Sequence, residues 1–214
     1  MESVPHGLNG IVSILLLFYT EVVKKSKEVF KMNMDQKSLY ELRKESQLTQ
    51  KKGLPFIMAS VILWGIIAGI HGSDLTIQDK NMATFCCSCM LMPFVMFFGK
   101  LIGAKPFKKS GNPVDKLGMI CTFNQILYLV IVMWAYNQKP ESMLMLYAIV
   151  FGAHLLPFSW IYESRGYMLA ALCETVGVLF VRASFGNVGA GIFMAVMEAI
   201  LCILLMVELT TSFQ

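Results

Sequence analysis

Charged side chains are scarce in this chain, because aspartate, glutamate, lysine and arginine together make up only 15% of its 214 residues. Soluble domains usually carry about 25%. Hydrophobic residues reach 56%, more than a soluble fold of this length can remove from water while keeping a charged surface. These proportions exclude a disordered chain and an ordinary soluble enzyme, and they predict a membrane protein with several spans.

Motifs of other protein classes are also missing. The sequence contains no Asn-x-Ser/Thr acceptor, no nucleophile elbow, no zincin motif, no Walker loop and no dinucleotide-binding glycine motif. All six cysteines lie inside apolar runs, which argues against a secreted disulfide framework. The basic residues lie between apolar runs instead of on one soluble face, so nucleic-acid binding is not expected. We expect no cofactor, and the lipid bilayer is the partner that the composition implies.

Six apolar runs are present, and each is long enough to be a transmembrane helix. About 20 helical residues cross a hydrocarbon core of about 30 Å. The fifth run is the shortest, but it is flanked by Arg165 and Arg182, whose side chains can reach the interface. We therefore predict an all-α polytopic bundle over 53–207 with a short tail at 208–214. The runs are 53–70, 82–99, 117–136, 143–162, 167–181 and 188–207.

The N-terminal region divides into two parts. Residues 1–33 form an extension whose apolar segment, 8–23, has three interpretations: a seventh span, an interfacial helix, or an upstream extension translated from an early start codon. Residues 34–52 form a basic juxtamembrane segment. Within it, Ser38 and Glu41 have the spacing of a capping box, which predicts a short helix over 38–50.

The distribution of basic residues predicts the orientation in the membrane. Of the 18 lysines and arginines, 15 fall in alternate connections on one side, mostly before the first run and between the second and third runs. Basic residues concentrate on the cytoplasmic side of membrane proteins. The sequence thus predicts that the segment up to Lys52, the connection 100–116 and the C-terminus are cytoplasmic.

Four stretches resemble an uncharacterised family of small multi-pass membrane proteins from bacteria, mostly Gram-positive. They are Lys-Lys-Gly-Leu-Pro-Phe at 51–56, Phe-Cys-Cys-Ser-Cys at 85–89, Asn-Gln-Ile-Leu-Tyr at 124–128 and Gly-Ala-His-Leu-Leu-Pro-Phe-Ser-Trp-Ile-Tyr at 152–162. The resemblance covers about residues 34–207 and leaves the first 33 outside. It implies a bacterial plasma membrane, and it supplies no functional residue because the family has no established activity.

Titratable residues inside the runs are the best candidates for a site, since each costs about 2.5–3.5 kcal/mol at a helix centre. His154, Glu174 and Glu198 lie near the centres of the fourth, fifth and sixth runs, and Asn124 and Gln125 lie near the centre of the third. Five polar groups at one depth suit a proton relay or a cation site. Alternatively, each group hydrogen-bonds a neighbouring helix and holds the bundle together.

A weaker candidate is a soft-metal site at Cys86, Cys89 and Met90. Thiolate and thioether ligands suit Cu(I), but cysteine and methionine are also ordinary filling in apolar helices. The 16 methionines are spread along the chain, so part of this clustering is chance.

Three functional hypotheses follow. The first is a small proton- or cation-linked transporter or channel that uses the central polar residues. The second is a non-catalytic membrane subunit or scaffold, in which the same residues join helices and the basic cytoplasmic helix is a docking surface. Its partner would be a second copy of the chain or another membrane protein. The third, an intramembrane enzyme, has least support because no serine accompanies His154 at its depth.

Overall fold

The computed structural model describes residues 20–21, 23–25, 38–107 and 110–211, and every regular element in these ranges is helical. In chain order the helices are α1 Leu39–Gln50, α2 Leu54–His71, α3 Ile77–Ser88, α4 Leu91–Ile102, α5 Pro113–Gln138, α6 Pro140–His154, α7 Leu156–Ile161 and α8 Arg165–Thr211. The predicted segment 8–23 lies outside the described residues, apart from Thr20, Glu21 and Val23, which are helical.

Within the described ranges, five helical stretches are long and apolar enough to cross a membrane. They are Leu39–His71, Ile77–Ile102, Pro113–Gln138, Pro140–Ile161 and Arg165–Thr211. The all-helical class predicted from the composition is therefore confirmed.

The capping box predicted for the basic segment is present at the start of α1. The backbone N–H of Glu41 donates to Ser38 Oγ at 3.3 Å, and that of Ser38 donates to Glu41 Oε2 at 2.9 Å. Two of the backbone donors that a helix N-terminus leaves unpaired are satisfied in this way.

A tight left-handed turn joins α1 to α2. Lys51, Lys52 and Gly53 have φ angles of 50°, 51° and 73°, in the region that favours glycine. Tertiary contacts hold the turn, since the Lys52 ammonium binds Glu208 at 2.9 Å and the hydroxyl of Tyr167 donates to the Lys52 carbonyl at 2.8 Å. A side chain at Gly53 would collide with the Tyr167 hydroxyl, 2.8 Å from where its Cβ would lie.

Two prolines account for two of the interruptions inside the long helical stretches. Proline lacks the N–H that would bond the carbonyl four residues earlier, and its ring crowds that carbonyl. Pro93 is four residues after Cys89, where α3 gives way to α4. Pro157 likewise follows Ala153 by four residues, and α6 ends at His154 before α7 begins at Leu156.

Helix α8 is a hairpin of two antiparallel helices. Its backbone leaves helical geometry at Gly186, where φ is 66° and ψ is −163°. A Cβ on Gly177 would lie 2.6 Å from the ring of Phe193, and one on Gly166 would lie 3.3 Å from Leu201. In a straight helix, residues 177 and 193 would be about 24 Å apart. The last two predicted runs therefore pair face to face, and the fifth is longer than its 15 apolar residues, because the helix continues past Arg182.

One end of the bundle, called here the α1 end, collects the polar side chains of the basic segment and its neighbours. Ser46 Oγ donates to Asp115 Oδ1 at 2.6 Å, which joins α1 to the start of α5. Ser164 Oγ donates to Glu208 Oε1 at 2.9 Å, which joins the two outer ends of the α8 hairpin.

The opposite end carries a separate set of polar contacts. Asn81 Nδ2 donates to the Pro140 carbonyl at 2.9 Å, and Arg182 Nη2 donates to the Glu141 carbonyl at 2.6 Å. These contacts place the start of α3, the start of α6 and the α8 turn together. The chain thus runs back and forth between the two ends, as short connections between neighbouring helices require.

Candidate functional site

The most buried acidic residues are Glu174 and Glu198, which face each other across the α8 hairpin. Each lies twelve positions from Gly186 (186 − 174 and 198 − 186), so the hairpin brings them to the same depth. Both are 0% exposed, and their carboxyl groups lie within interaction distance of each other. We refer to these two residues as the acid pair.

Ser60 on α2 supplies the one hydrogen bond that reaches the acid pair from another described residue. Its Oγ lies 2.6 Å from Glu198 Oε2 and 2.7 Å from the carbonyl oxygen of Ile57. A hydroxyl has only one hydrogen to donate. When Glu198 is ionised, Ser60 donates to it. When Glu198 is protonated, the acid can donate to Ser60 while Ser60 donates to Ile57, so the site accommodates both states.

The remaining oxygens of the pair have no conventional hydrogen bond from the described residues. They are Oε1 and Oε2 of Glu174 and Oε1 of Glu198. The hydroxyl of Thr175, beside Glu174, is also buried without a partner. Buried polar atoms are nearly always satisfied in folded proteins. A group of unsatisfied oxygens at one place therefore marks a position suited to a proton, a water molecule or a cation.

A glycine allows α6 to approach the acid pair closely. A Cβ on Gly152 would lie 2.8 Å from Glu174 Cβ and 3.1 Å from the backbone nitrogen of Thr175. Contacts below 3.0 Å require the neighbouring atoms to shift, and a packed backbone cannot move cheaply. Because Gly152 has no side chain, α6 can pack directly against Glu174 and close one side of the acid pair.

No basic side chain neutralises the acid pair among the described residues. The ion pairs there are Arg43–Glu163 and Lys52–Glu208, both at the α1 end. Two ionised carboxylates in an apolar interior would repel each other and would lack solvation. The pair is therefore stable only with a shared proton, with both acids protonated, or with a bound cation.

His154 does not join the acid pair, contrary to its predicted place in the site. Residues two positions apart on a helix point about 200° apart. Because Gly152 faces Glu174, His154 faces away. Its Nδ1 makes a hydrogen-bond contact with the Phe151 carbonyl, and its ring lies between Phe151 and Phe158, with ring centroids 5.1 and 6.0 Å away. His154 is only two residues from Gly152 along α6, so it lies close to Glu174 along the bundle axis but on another face of its helix.

Asn124 and Gln125 are likewise remote from the acid pair. Both lie on α5, where Asn124 is exposed on the outer face and Gln125 is half-buried. Within the described residues no contact links either amide to Glu174 or Glu198. The predicted five-residue cluster is thus reduced to two of its members.

The sulfur residues proposed as soft-metal ligands lie at the break between α3 and α4. Cys86, Cys89 and Met90 are all exposed there, and Cys89 Sγ lies 3.6 Å from the Phe85 carbonyl oxygen, to which it can donate. In the described part of the chain, no three His, Cys, Asp or Glu side chains converge on a common metal position. The soft-metal site stays a prediction without a supporting contact.

On the α1 side of the acid pair lie the buried ion pair of Lys52 with Glu208 and the hydroxyl of Tyr167, which donates to the Lys52 carbonyl. Tyr167 precedes Glu174 by seven residues, which is about 10 Å along the helix. Between them the hairpin is lined by the small side chains Ala170, Ala171 and Cys202, all buried.

Bulky apolar side chains close the other side of the acid pair. Trp64, Phe151, Val178 and Met194 pack together there, and the Trp64 and Phe151 rings meet edge to face at 5.5 Å. Buried apolar side chains also fill the approach from the α1 end, where Leu201, Leu205 and Tyr167 belong to one packed cluster. Described residues therefore enclose the acid pair on both sides.

Ser60, Lys52 and Glu208 are the polar residues around the site that the sequence analysis did not single out. Ser60 is the one hydroxyl in α2 and lies close to the middle of that helix, so the interpretation that no serine shares the depth of His154 is wrong. Lys52 and Glu208 gave no comparable signal, because they are 156 positions apart and each resembles an ordinary interfacial charge.

Comparison with protein families gives one match, which covers residues 39–208. The chain belongs to DUF7010, a family of unknown function. Comparison with curated proteins and with solved structures finds no match. The family match supports the resemblance to an uncharacterised family and begins with α1, so the first 38 residues lie outside it.

Proposed function

We propose that this DUF7010 chain is a small integral membrane transporter or channel, in which the acid pair exchanges protons or a cation with the aqueous phase. The observation that carries the proposal is the pair of fully buried, mutually facing carboxyl groups, three of whose oxygens accept no hydrogen bond from any other described residue. Ionisable groups inside a membrane are costly and are typical of ion and proton pathways.

In this proposal the chain crosses the membrane six times, and the two halves of α8 count as separate crossings. The basic α1 end is cytoplasmic in this arrangement, since most lysines and arginines lie there. The membrane is the bacterial plasma membrane, as the sequence resemblance implies. A reporter fused after Lys109 and one fused after Asn137 should then report opposite sides.

Protons exchange with the acid pair from the α1 end in this proposal. The path passes the Lys52–Glu208 ion pair and the buried small residues Ala170, Ala171 and Cys202. It opens when the buried leucines Leu201 and Leu205 of the same hairpin move aside. Transport would require a second state in which the apolar cluster around Trp64 separates.

Infrared spectroscopy of the protein in lipid vesicles tests proton exchange at the pair. A protonated carboxyl group has a carbonyl stretching band that shifts in D₂O only if water reaches it. We expect the band to shift and to titrate with pH, and we expect Glu174→Gln and Glu198→Gln each to remove part of it. Glu141→Gln is the matched control, because Glu141 is exposed at the start of α6 and should not contribute to that band.

The alternative function is a scaffold in which the acid pair only joins helices through hydrogen bonds, and it predicts the opposite result. A sealed pair would give a band that neither D₂O nor pH changes, and this outcome would overturn the proposal.

Proton flux into vesicles containing a pH-sensitive dye provides a second measurement. A potassium diffusion potential should drive uptake in the wild type and in Glu141→Gln, and Glu198→Gln should abolish it.

A further inference from the structure

Helix α5 lies on the outside of the bundle and leaves most of its length uncovered. Of its 26 residues, only Val114, Val132 and Ala135 are buried. In each of the other four described stretches that could cross a membrane, a larger share of the most apolar part is buried. A long helix that contacts its own bundle along one narrow face has a second face that no described residue covers.

The uncovered face carries a heptad pattern. Because most of α5 is exposed, more than one stripe has spacings of three and four positions, the a/d pattern of a helix pair with a left-handed crossing. The stripe that contains the exposed amide of Asn124 has six exposed residues at spacings of three, four, three, four and three. They are Leu117, Ile120, Asn124, Leu127, Ile131 and Trp134. We call this set the α5 seam. The apolar members are between 39% and 68% exposed.

Asn124 is the single polar member of the α5 seam and lies within about two residues of the middle of α5. Its amide has two N–H donors and one carbonyl acceptor. None of these groups is hydrogen-bonded to a described residue, and the side chain points away from the bundle. In hydrocarbon an exposed amide is unfavourable. Asparagine in a membrane helix therefore promotes association with a second helix that can hydrogen-bond to it.

We infer that α5 forms the interface of a parallel homodimer, in which Asn124 pairs with Asn124 of a second copy. A second copy inserts in the same orientation, so a two-fold axis along the membrane normal brings the two asparagines together at the same depth. The amide is self-complementary, because each can donate to the carbonyl of the other. Both copies carry the same heptad spacing, so their seam residues can interdigitate along the helix pair. In a parallel pair, a polar residue at heptad position a meets the same residue of the other helix and fixes the register.

The inference is independent of the proposed transport function, because the α5 seam makes no described contact with the acid pair. A different membrane helix with a matching polar group is the alternative occupant. It would leave the purified wild type monomeric, so the oligomeric state distinguishes the two cases.

Single-molecule photobleaching in dilute vesicles provides the test. Full-length chains carrying one fluorophore at the C-terminus should bleach in two steps in a fraction of vesicles above that expected from chance co-occupancy. Asn124→Leu should raise the dimer dissociation constant by about tenfold, as expected for loss of an interhelical hydrogen bond. Asn124→Gln keeps the amide and should restore most of the association.

Gln125→Leu is the matched control, since it removes a neighbouring amide that lies half-buried on the bundle side of α5. It should leave the dissociation constant unchanged, and a thermal melt of each variant shows whether the monomer is still folded. A wild type that bleaches only in single steps, or a folded Asn124→Leu that dimerises as well as the wild type, would overturn the inference.

Cysteine cross-linking identifies the face that is used. In a chain whose six native cysteines are replaced by serine, Leu127→Cys on the seam should cross-link between copies. Ile126→Cys, one residue earlier and about 100° around the helix, should not, although Ile126 is 54% exposed. Equal cross-linking at the two positions would contradict a seam at this face.

Discussion

The inner helices and the outer helices of this bundle have similar apolar character but different surroundings. In the most apolar part of Leu39–His71, 56% of the residues are buried, whereas in that of Pro113–Gln138 only 6% are. The polar residues differ accordingly. On the inner helices they face one another, as Glu174, Glu198 and Ser60 do, and on α5 Asn124 faces outward. The comparison shows that apolarity places a helix in the membrane without saying which helix it will contact.

The largest effect expected from this comparison concerns the close approach of α2 and the second half of α8. A Cβ on Gly191 would lie 2.9 Å from Ala68 Cα, whereas nothing lies within 4 Å of the corresponding position on Gly69. Gly191→Leu should therefore lower the free energy of unfolding by about 3 kcal/mol, because the contact is with backbone that cannot move aside. Gly69→Leu should not destabilise the protein. Thermal melts in detergent compare the two, and equal losses would show that the α2–α8 contact is not tight.

The next effect contrasts two ion pairs at the α1 end. Glu208→Gln leaves the buried ammonium of Lys52 without a countercharge, which should cost about 2 kcal/mol. Glu163→Gln removes a more exposed carboxylate, 39% accessible, from Arg43 and should cost less than about 1 kcal/mol. Chemical denaturation of both variants measures the difference. A smaller loss in Glu208→Gln than in Glu163→Gln would contradict the internal position of Lys52.

A smaller effect is expected at the hydrogen bond to the acid pair. Ser60→Ala removes the donor to Glu198 and should lower the free energy of unfolding by about 1 kcal/mol. It should also shift the infrared band of the protonated carboxyl group. Ser73→Ala is the control, because Ser73 donates only to the nearby Ile70 carbonyl at an exposed turn, and it should change neither quantity. An unchanged band in Ser60→Ala would show that Ser60 does not hydrogen-bond to the acid pair.

The smallest effect is expected on the outer face. Asn124→Leu should change the stability of the monomer, measured in dilute detergent, by no more than about 0.5 kcal/mol. The reason is that Asn124 makes no hydrogen bond within the described residues. A loss of several kcal/mol would mean that Asn124 supports its own bundle, and the contrast between inner and outer helices would then not hold for α5.

Several features of the fold were predictable because they depend on short stretches of chain. The Ser38–Glu41 capping box, the helix breaks near Pro93 and Pro157, and the positions of the long helices follow from local chemistry and apolar run length. The depth of Glu174 and Glu198 was predictable for the same reason, since the rise per residue converts a position in a run into a depth.

The membership of the site was only partly predictable, because it depends on helix rotation. His154 has the right depth, but Gly152 occupies the face that meets Glu174. Asn124 has nearly the right depth, but α5 turns it outward. Ser60 belongs to the site through a hydrogen bond that spans 138 positions. No pattern within a single run encodes such a pairing.

The sequence by itself determined the all-helical class, the apolar stretches long enough to cross a membrane, and the presence of acidic residues in their middles. These properties follow from composition, helix rise and proline chemistry, which act over a few turns of chain. Only the tertiary structure decided that α8 turns back at Gly186, that Glu174 meets Glu198, and that α5 stays outside. Those outcomes depend on where small residues such as Gly152 and Gly191 let helices approach. In an apolar environment, close packing and hydrogen bonds select the partners of each helix, because apolarity is common to all of them.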